Sequence, residues 1–248
     1  MLLEGKNAVI YGAGGSIGGA VAKAFAREGA RVFLAGRTKA RLDSVADEIR
    51  AAGGAAETAE VDALDEAAVD AHADAIPGGI DISFNLIGLN DVQGTPLAEM
   101  ALADFMAPIE TAVRSQFLTA RAAARHMIPS GSGVILWFGG EGDPIRDYSI
   151  GGLQIAFHAV EAMRRQLATE LGRHGVRTVT LRTGGIPESI PDSFEGRDRI
   201  TEMLEGATLL GRAATLEDVG NVAAFVASEK ARTMTAATVN VSAGALID

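Results

Sequence analysis

The sequence predicts an α/β fold, with a doubly wound parallel sheet of about seven strands and helices on both faces. Two observations predict this class. Short apolar runs alternate with amphipathic segments along the whole chain, and most of these runs are almost continuously apolar, which is typical of strands buried on both faces. Neither a linker nor a change of composition divides the 248 residues. We therefore expect one domain over residues 1–248.

Each element follows from a local pattern. The first strand is the apolar run Asn7–Tyr11, and the helix at 16–28 places Ile17, Val21 and Phe25 on one face. Thr38 is expected to cap the second helix at 38–52. Further strands are predicted at 31–35, 57–61, 81–87, 134–138, 176–181 and 238–241. Further helices are predicted at 65–76, in a long region ending at Pro129, at 151–173, and at 215–228 with a capping box from Thr215 to Asp218.

Residues 186–210 break the alternation, because they are rich in Pro, Gly and charge but contain apolar islands. A segment of this length without regular structure is usually functional, so we predict a lid over a substrate. The alternative is a surface excursion that packs on its own domain. The apolar positions are Ile190, Phe194, Met203, Leu204, Leu209 and Leu210.

Composition excludes several classes of protein. The chain has no Cys, which removes thiolate nucleophiles and Cys-ligated zinc. Acidic residues outnumber basic ones 32 to 22, giving a net charge of −10, so a nucleic-acid surface is not expected. No apolar stretch is long enough for a membrane span or has the form of a signal peptide. We expect no metal, no membrane and a cytoplasmic location.

A glycine-rich turn, residues 11–18 (YGAGGSIG), lies between the first strand and the first helix. Gly12 can make the tight turn, and the small residues after it let the backbone approach a phosphate group. The start of the helix at Ser16 offers unpaired N–H groups and the positive end of a helix dipole. In this context the turn predicts a Rossmann-type site for a dinucleotide pyrophosphate.

The end of the second strand predicts which dinucleotide binds. An NAD site places an acidic residue there to bond the ribose 2′-hydroxyl, but the sequence reads Ala35-Gly36-Arg37-Thr38. The guanidinium of Arg37 suits a 2′-phosphate, so NADP(H) is expected in preference to NAD(H). The alternative is that Arg37 is a solvated cation at the start of a helix.

The chain resembles the short-chain dehydrogenase/reductase family over essentially all of its length. The glycine turn resembles the family's Thr-Gly-x-x-x-Gly-x-Gly, with Tyr11 in place of Thr and Ser16 in place of the middle Gly. Further resemblances are Asp62-Ala63 after the third strand, Asn85-Leu86-Ile87-Gly88 after the fourth, 182–186 after the sixth, and the segments 211–219 and 240–244. The predicted cofactor-binding residues are Gly12, Gly14, Gly15, Ser16, Ile17, Gly18, Arg37, Asp62, Ala63, Asn85, Ile87, Gly88, Gly184 and Ile186.

The resemblance also implies a catalytic Asn, Ser, Tyr and Lys. In the family, Lys lowers the pKa of Tyr and holds the ribose, Tyr transfers the proton, Ser polarises the carbonyl oxygen and Asn positions a water. When the long helix is aligned through Leu167-Ala168-Thr169-Glu170-Leu171, these four positions are occupied by other residues. Ala112 lies near the Asn position, Gly140 at Ser, Leu153 at Tyr and Phe157 at Lys.

A shift of register does not restore the pair, because no lysine lies between Lys39 and Lys230. The one tyrosine in that stretch, Tyr148, therefore lacks a lysine at the family's spacing and also at the wider spacing of the family's enoyl reductases. Tyr148 is a candidate proton donor, with packing of its loop as the alternative. His158 is expected to be a packing or interface residue, and Glu161 and Arg165 a solvated or intersubunit pair.

These features leave alternative functions open. The first is an oxidoreductase that uses NADPH to reduce a carbonyl or activated alkene of a small molecule without the usual Tyr and Lys. The others are a non-catalytic NADP(H)-binding sensor or inactive partner subunit, and an enzyme with this fold but a non-redox reaction. The resemblance implies a homo-oligomer, either dimer or tetramer, that pairs the helical regions at 101–128 and 151–173.

Overall fold

The computed structural model describes residues 1–139 and 148–247. Seven parallel strands form one sheet in the order β3-β2-β1-β4-β5-β6-β7. The order reverses between β1 and β4, so the carboxyl edges of these two strands form the crevice in which doubly wound folds bind ligands. The predicted fold class is confirmed.

The strand positions agree with the apolar runs to within two residues. The strands are β1 Asn7–Tyr11, β2 Arg31–Gly36, β3 Ala55–Glu60, β4 Ile82–Asn85, β5 Gly133–Gly139, β6 Val176–Arg182 and β7 Ala237–Asn240. The helices are α1 Ser16–Arg27, α2 Lys39–Ala51, α3 Glu66–Asp74, α4 Leu102–Ser130, α5 Leu153–Leu171, α6 Arg197–Gly206 and α7 Leu216–Ala227.

Two hydrophobic clusters cover the two faces of the sheet. Helices α1, α2 and α7 pack on one face, with Phe25, Leu42 and Val219 buried. Helices α3, α4 and α5 pack on the other, around Trp137 and Met127. Because both faces are covered, β1, β2 and β5 are largely apolar, whereas β3 and β6 also carry polar side chains. The carboxyl edge is left as the surface where loops form a site.

Two helix ends differ from the predictions, and a third agrees with its prediction. Helix α4 continues through Pro129 to Ser130, and Gly131, whose φ is 69°, ends it in the left-handed conformation. Thr38 occupies the N-cap position of α2, but its side chain makes no capping hydrogen bond, so the predicted cap is wrong in its chemistry. The capping box at Thr215 and Asp218 is confirmed, with both reciprocal hydrogen bonds present.

The segment 186–210 is more regular than its sequence suggests, since it contains helix α6. Several of its apolar side chains face solvent: Phe194 is 53% exposed, Met203 64% and Leu209 75%. Leu204 packs close to Gly185, just beyond β6. The segment therefore contacts the carboxyl edge but leaves apolar surface uncovered.

Candidate cofactor and active site

A cavity of about 220 Å³ lies at the carboxyl edge of β1, β2, β3 and β4. Its walls come from the loops that follow these four strands, and one wall is completed by Thr111 of α4. The lining residues are Gly12, Gly14, Gly15, Gly36, Arg37, Thr38, Arg41, Leu42, Val61, Asp62, Ala63, Leu64, Leu86, Ile87, Gly88, Asn90 and Thr111. The cavity thus lies where the strand order reverses between β1 and β4, and the predicted glycine turn forms part of its wall.

The glycine turn has its conformation for steric reasons. Gly12 has a φ of 77°, and a Cβ there would lie 2.5 Å from the carbonyl oxygen of Leu86. A Cβ on Gly18 would overlap the carbonyl oxygen of Gly12. These glycines bring β1, α1 and the loop after β4 into contact with one another. The close contacts therefore require glycine at positions 12 and 18.

The turn ends in a helix terminus suited to an anion. Helix α1 begins at Ser16, and its N-cap residue, Gly15, has no side chain that can cap it. The first N–H groups of a helix have no acceptor within that helix, and the dipole is positive at this end. The geometry therefore fits the pyrophosphate of a dinucleotide.

Two arginines lie at the end of the cavity beyond β2. Arg37 follows the strand directly and Arg41 lies in the first turn of α2, and both are exposed. A Cβ on Gly14 would lie 2.9 Å from Cβ of Arg41, so the stem of Arg41 lies against the glycine turn. Among residues 1–139 and 148–247, neither arginine is held in an ion pair. Their guanidinium groups are available to an anionic ligand.

The loop after β3, the strand next to β2 in the sheet, forms another part of the cavity wall. Asp62 is exposed, and its Oδ1 accepts a hydrogen bond of 3.0 Å from the backbone N–H of Leu64. Ala63 is buried beside it, yet contributes to the cavity surface. The predicted positions at 62 and 63 therefore line the same cavity as the glycine turn.

Asn85 is placed differently, because it is buried at the end of β4 and does not line the cavity. Its Oδ1 accepts from the backbone N–H of Ile87 at 3.2 Å, and its Nδ2 donates to Oγ1 of Thr119 at 3.3 Å. Gln116 donates to its carbonyl oxygen at 3.3 Å. Asn85 thus anchors to α4 the loop that presents Ile87 and Gly88.

The other predicted cofactor residues lie around the cavity rather than on its surface. Ser16, Ile17 and Gly18 form the first turn of α1. Gly184 and Ile186 follow β6, three strands from β1 along the same carboxyl edge. A long ligand that starts in the cavity and follows this edge therefore passes both groups.

The residues that the sequence alignment assigns to the family's catalytic positions are apolar where the structure describes them. Ala112 is buried in α4. Leu153 and Phe157 are both half-buried and lie one turn apart at the start of α5, so they form the expected apolar surface. Gly140 lies outside the described residues.

The two tyrosines have different environments. Tyr148 is 49% exposed, and its hydroxyl donates to Oε1 of Gln93 at 3.1 Å. Tyr11 is buried at the end of β1 with its ring edge-on to His72. Burial, and to a smaller extent the charge of Asp70, raise the pKa of Tyr11 far above its ordinary value, which makes it a poor proton donor at neutral pH.

The prediction for Glu161 was wrong in one respect. It contacts Arg165 as expected, with 3.1 Å between Nε and Oε1, but it is 6% exposed. Its main partner is the buried Arg164, one turn along α5, and Oγ1 of Thr180 donates to it at 2.8 Å. The spacing of four residues indicated the contact between Glu161 and Arg165. It could not indicate that β6 packs against Glu161 and buries it. His158, which was expected to be a packing or interface residue, is exposed on α5 and so does not pack inside the domain.

Burial alone would raise the pKa of Glu161, but hydrogen bonds from Arg164 and Thr180 outweigh it. The pKa therefore lies below the ordinary value, and the carboxylate stays ionised inside the domain. The network ties α5 to β6.

Sequence reasoning missed two kinds of lining residue. Arg41 follows Arg37 at a spacing of four, which puts it one turn into α2 on the same side, and that spacing was a usable signal. Thr111 adjoins Ala112 but comes from a helix distant in the sequence. Only the packing of α4 against β4 reveals Thr111.

The described part of the chain has neither a candidate membrane span nor a candidate metal site. None of its helices combines the length and apolar character that a membrane span requires. None of its His, Asp and Glu side chains gather in groups of three or more that could hold a metal ion.

Comparison with known proteins places the chain in a family. A family model described as enoyl-(acyl carrier protein) reductase matches residues 12–245. Gluconate 5-dehydrogenase of Gluconobacter oxydans is 32% identical over 91% of this chain and 89% of its own. The uncharacterized oxidoreductase YxbG of Bacillus subtilis is 31% identical over 98% of this chain and 91% of its own.

Two solved structures are similar to this chain in fold and sequence. A short-chain type dehydrogenase/reductase from Mycobacterium marinum has a TM-score of 0.86 and 28% identity, covering 99% of this chain and 97% of its own. A gluconate 5-dehydrogenase from Burkholderia cenocepacia, in complex with NADP and tartrate, has a TM-score of 0.88 and 26% identity, covering 98% and 96%. With the seven-stranded sheet and the glycine-lined cavity, these matches show that the chain belongs to the short-chain dehydrogenase/reductase family of oxidoreductases.

Proposed function

We propose that this chain is an NADP(H)-dependent oxidoreductase that reduces a carbonyl or activated alkene of a small molecule, or catalyses the reverse. The observation that carries the proposal is the cavity itself. One continuous surface combines a glycine turn, an uncapped helix terminus and the two arginines at positions 37 and 41. This set of groups matches a pyrophosphate at one point and a 2′-phosphate at another.

Arg37 and Arg41 would determine the preference for NADP(H). A guanidinium presents a planar fork of donors that matches phosphate oxygens, and two of them can bind different oxygens of one phosphate. No acidic residue follows β2 directly, where an NAD site has one, and the acidic residue that lines the cavity, Asp62, follows the neighbouring strand β3. The NADP in the Burkholderia cenocepacia structure is in line with this choice.

NADPH, when bound, would supply a hydride from its dihydronicotinamide ring. Residues of the chain would orient and enclose this ring. Ile87 and Gly88 line the cavity beyond β4, and Gly184 and Ile186 lie at the same carboxyl edge beyond β6. Leu153 and Phe157 present an apolar surface where the family has its polar pair, so they exclude water without moving a proton.

The proton therefore comes from another source. Tyr148 is the candidate side chain, because its hydroxyl is exposed next to α5 and held by Gln93. Water is the alternative donor. In both cases the usual lysine is absent from residues 40–229, so the mechanism proceeds without the Tyr–Lys pair.

A second candidate function is a non-catalytic NADP(H)-binding protein, either a redox sensor or an inactive partner subunit. The apolar side chains of Leu153 and Phe157 favour it, because they leave the start of α5 without an acid or base. The retained cavity is common to both functions, so binding alone does not separate them.

We propose further that the protein is a cytoplasmic homo-oligomer, dimer or tetramer, and that residues 186–210 close over the substrate. Phe117 of α4 and Ile155 of α5 are 48% and 44% exposed, which suits a contact between copies. The exposed apolar side chains of residues 186–210 suit a lid that closes onto a ligand.

The test is the oxidation of NADPH by purified protein, followed at 340 nm with a panel of aldehydes, ketones, keto acids and conjugated enones. Turnover of any of these supports the oxidoreductase. Tight NADPH binding without turnover across the panel supports the sensor or partner subunit. If neither NADPH nor NADH binds, both candidate functions are wrong.

A variant identifies the proton donor once turnover is found. Tyr148→Phe removes the hydroxyl and keeps the ring, so loss of at least a hundredfold in kcat would assign the acid role to Tyr148. Unchanged kcat would exclude Tyr148 as the proton donor.

A further inference from the structure

Arg182 ends strand β6 at the carboxyl edge of the sheet. In the strand register it stands opposite Gly139 of β5 and Asn240 of β7. The residue is half-buried and its Nε is buried. Its positive charge therefore lies, half-buried, at the carboxyl edge of the sheet, along which the proposed cofactor would extend.

The side chain of Arg182 lies on the α5 face of the sheet. Oγ1 of Thr180 donates to the carboxylate of Glu161 on α5, whereas Val179 and Leu181 pack into the cluster on the opposite face. Because side chains alternate along a strand, Arg182 shares the face of Thr180.

The level of Arg182 along α5 follows from geometry. Two strand residues from Thr180 to Arg182 advance about 6.6 Å toward the carboxyl edge. Helix α5 runs in the opposite direction, and one turn back from Glu161 moves about 5.4 Å the same way, to Phe157. Arg182 therefore lies at about the level of Phe157, where the family has its lysine.

We propose that Arg182 binds the nicotinamide ribose, supplying from the sheet the donors and charge that the family takes from α5. Phe157 has no donor, whereas a guanidinium carries five N–H groups and keeps its charge at every physiological pH. This inference rests on the proposed function and deepens it.

The experiment compares two ligands by titration calorimetry. NADPH reaches both ends of the proposed site, while 2′,5′-ADP carries only the adenosine half with its phosphates. For Arg182→Met we expect about tenfold or greater loss of NADPH affinity, the effect of losing a charge-assisted hydrogen bond, and unchanged affinity for 2′,5′-ADP. Arg182→Lys keeps a donor and should recover part of the loss.

Arg37→Ala is the matched control, because it should weaken both ligands. Unchanged binding of 2′,5′-ADP by Arg182→Met also shows that the variant is folded. NADPH binding equal to wild type in Arg182→Met, or an equal loss for both ligands, would overturn the assignment.

Failure of the proposed function gives a different result. If wild type binds NADH as well as NADPH, the NADP preference fails, and the same comparison with NADH and 5′-AMP still decides the role of Arg182. If wild type binds none of the four ligands, the proposed function and this inference are both wrong.

Discussion

Gly18 illustrates how single residues shape the cofactor cavity. A helix position usually gains stability from alanine, by about 1 kcal/mol, but a Cβ at Gly18 would overlap the carbonyl oxygen of Gly12. The backbone would have to move, and with it the turn that lines the cavity. The glycine is needed for close approach rather than for a special φ.

We therefore expect Gly18→Ala to lower the free energy of unfolding by about 1–3 kcal/mol, as overpacking does, and to weaken NADPH binding. Urea unfolding and calorimetry measure the two effects. Gly172→Ala is the control: it has helical φ and open space at the Cβ, so it should leave stability unchanged or raise it by up to about 1 kcal/mol. Equal behaviour of the two variants would refute the steric argument.

Glu161 shows the energetic effect of a buried charge. Both Glu161 and Arg164 are buried, so removing one leaves the other without compensation. Glu161→Gln should lower the free energy of unfolding by about 3 kcal/mol or more at pH 7. Glu48→Gln breaks an exposed pair with Lys23 and should cost about 1 kcal/mol or less.

The contribution of Glu161 should also depend on pH. Its pKa is lowered in the folded state, so the stabilisation is present above the unfolded pKa of about 4.3 and is lost as pH falls through the folded pKa. The difference between wild type and Glu161→Gln in urea unfolding should therefore shrink below about pH 4. A difference that stays constant from pH 7 to pH 3 would contradict the ionised network.

At the scale of elements, the two threonines at helix N-cap positions differ in whether their side chains make a capping hydrogen bond. Thr215 accepts from the N–H of Asp218 at 3.0 Å at the start of α7, whereas Thr38 makes no such bond at the start of α2. Thr215→Ala should cost about 1 kcal/mol, and Thr38→Ala considerably less. Thermal or urea unfolding without cofactor compares them, and similar costs would show that the assigned cap at Thr215 has no effect.

Two substitutions in helix α5 test the proposal that the family's catalytic Tyr and Lys are absent. Leu153→Tyr with Phe157→Lys restores the two side chains at the family's spacing, but position 140 remains Gly and offers no hydroxyl to polarise a carbonyl. We expect no strong ketoreductase activity in the NADPH assay. Strong activity from this double variant would show that the Tyr and Lys alone account for the missing chemistry.

The sequence predicted most elements and part of the site, and the reasons differ. Strands such as β1, β2 and β5 were predictable because burial on both faces makes them largely apolar. The glycine turn and Arg37 were predictable because they follow strands directly. Thr111 and the buried partners of Glu161 were not, since both depend on contacts between distant elements. Helix α6 was missed because its polar sequence lacks a buried face.

At the scale of the whole molecule, a long chain of 248 residues forms one sheet whose carboxyl edge carries the entire proposed site. The adenosine end lies at β2 and β3, and the reacting end at β5 and β6. Adding NADPH at about 100 times its Kd should therefore stabilise the whole domain by about 2.7 kcal/mol. Thermal unfolding with increasing NADPH measures this, and a midpoint that does not rise would exclude binding to the folded state.

The most direct test of the account is the affinity ratio for NADPH and NADH, measured by calorimetry in wild type and in Arg37→Ala. The two arginines at the cavity's adenosine end predict that wild type binds NADPH at least tenfold more tightly than NADH, and that Arg37→Ala reduces this ratio mainly by weakening NADPH. Equal affinities in wild type, unchanged by Arg37→Ala, would contradict the account.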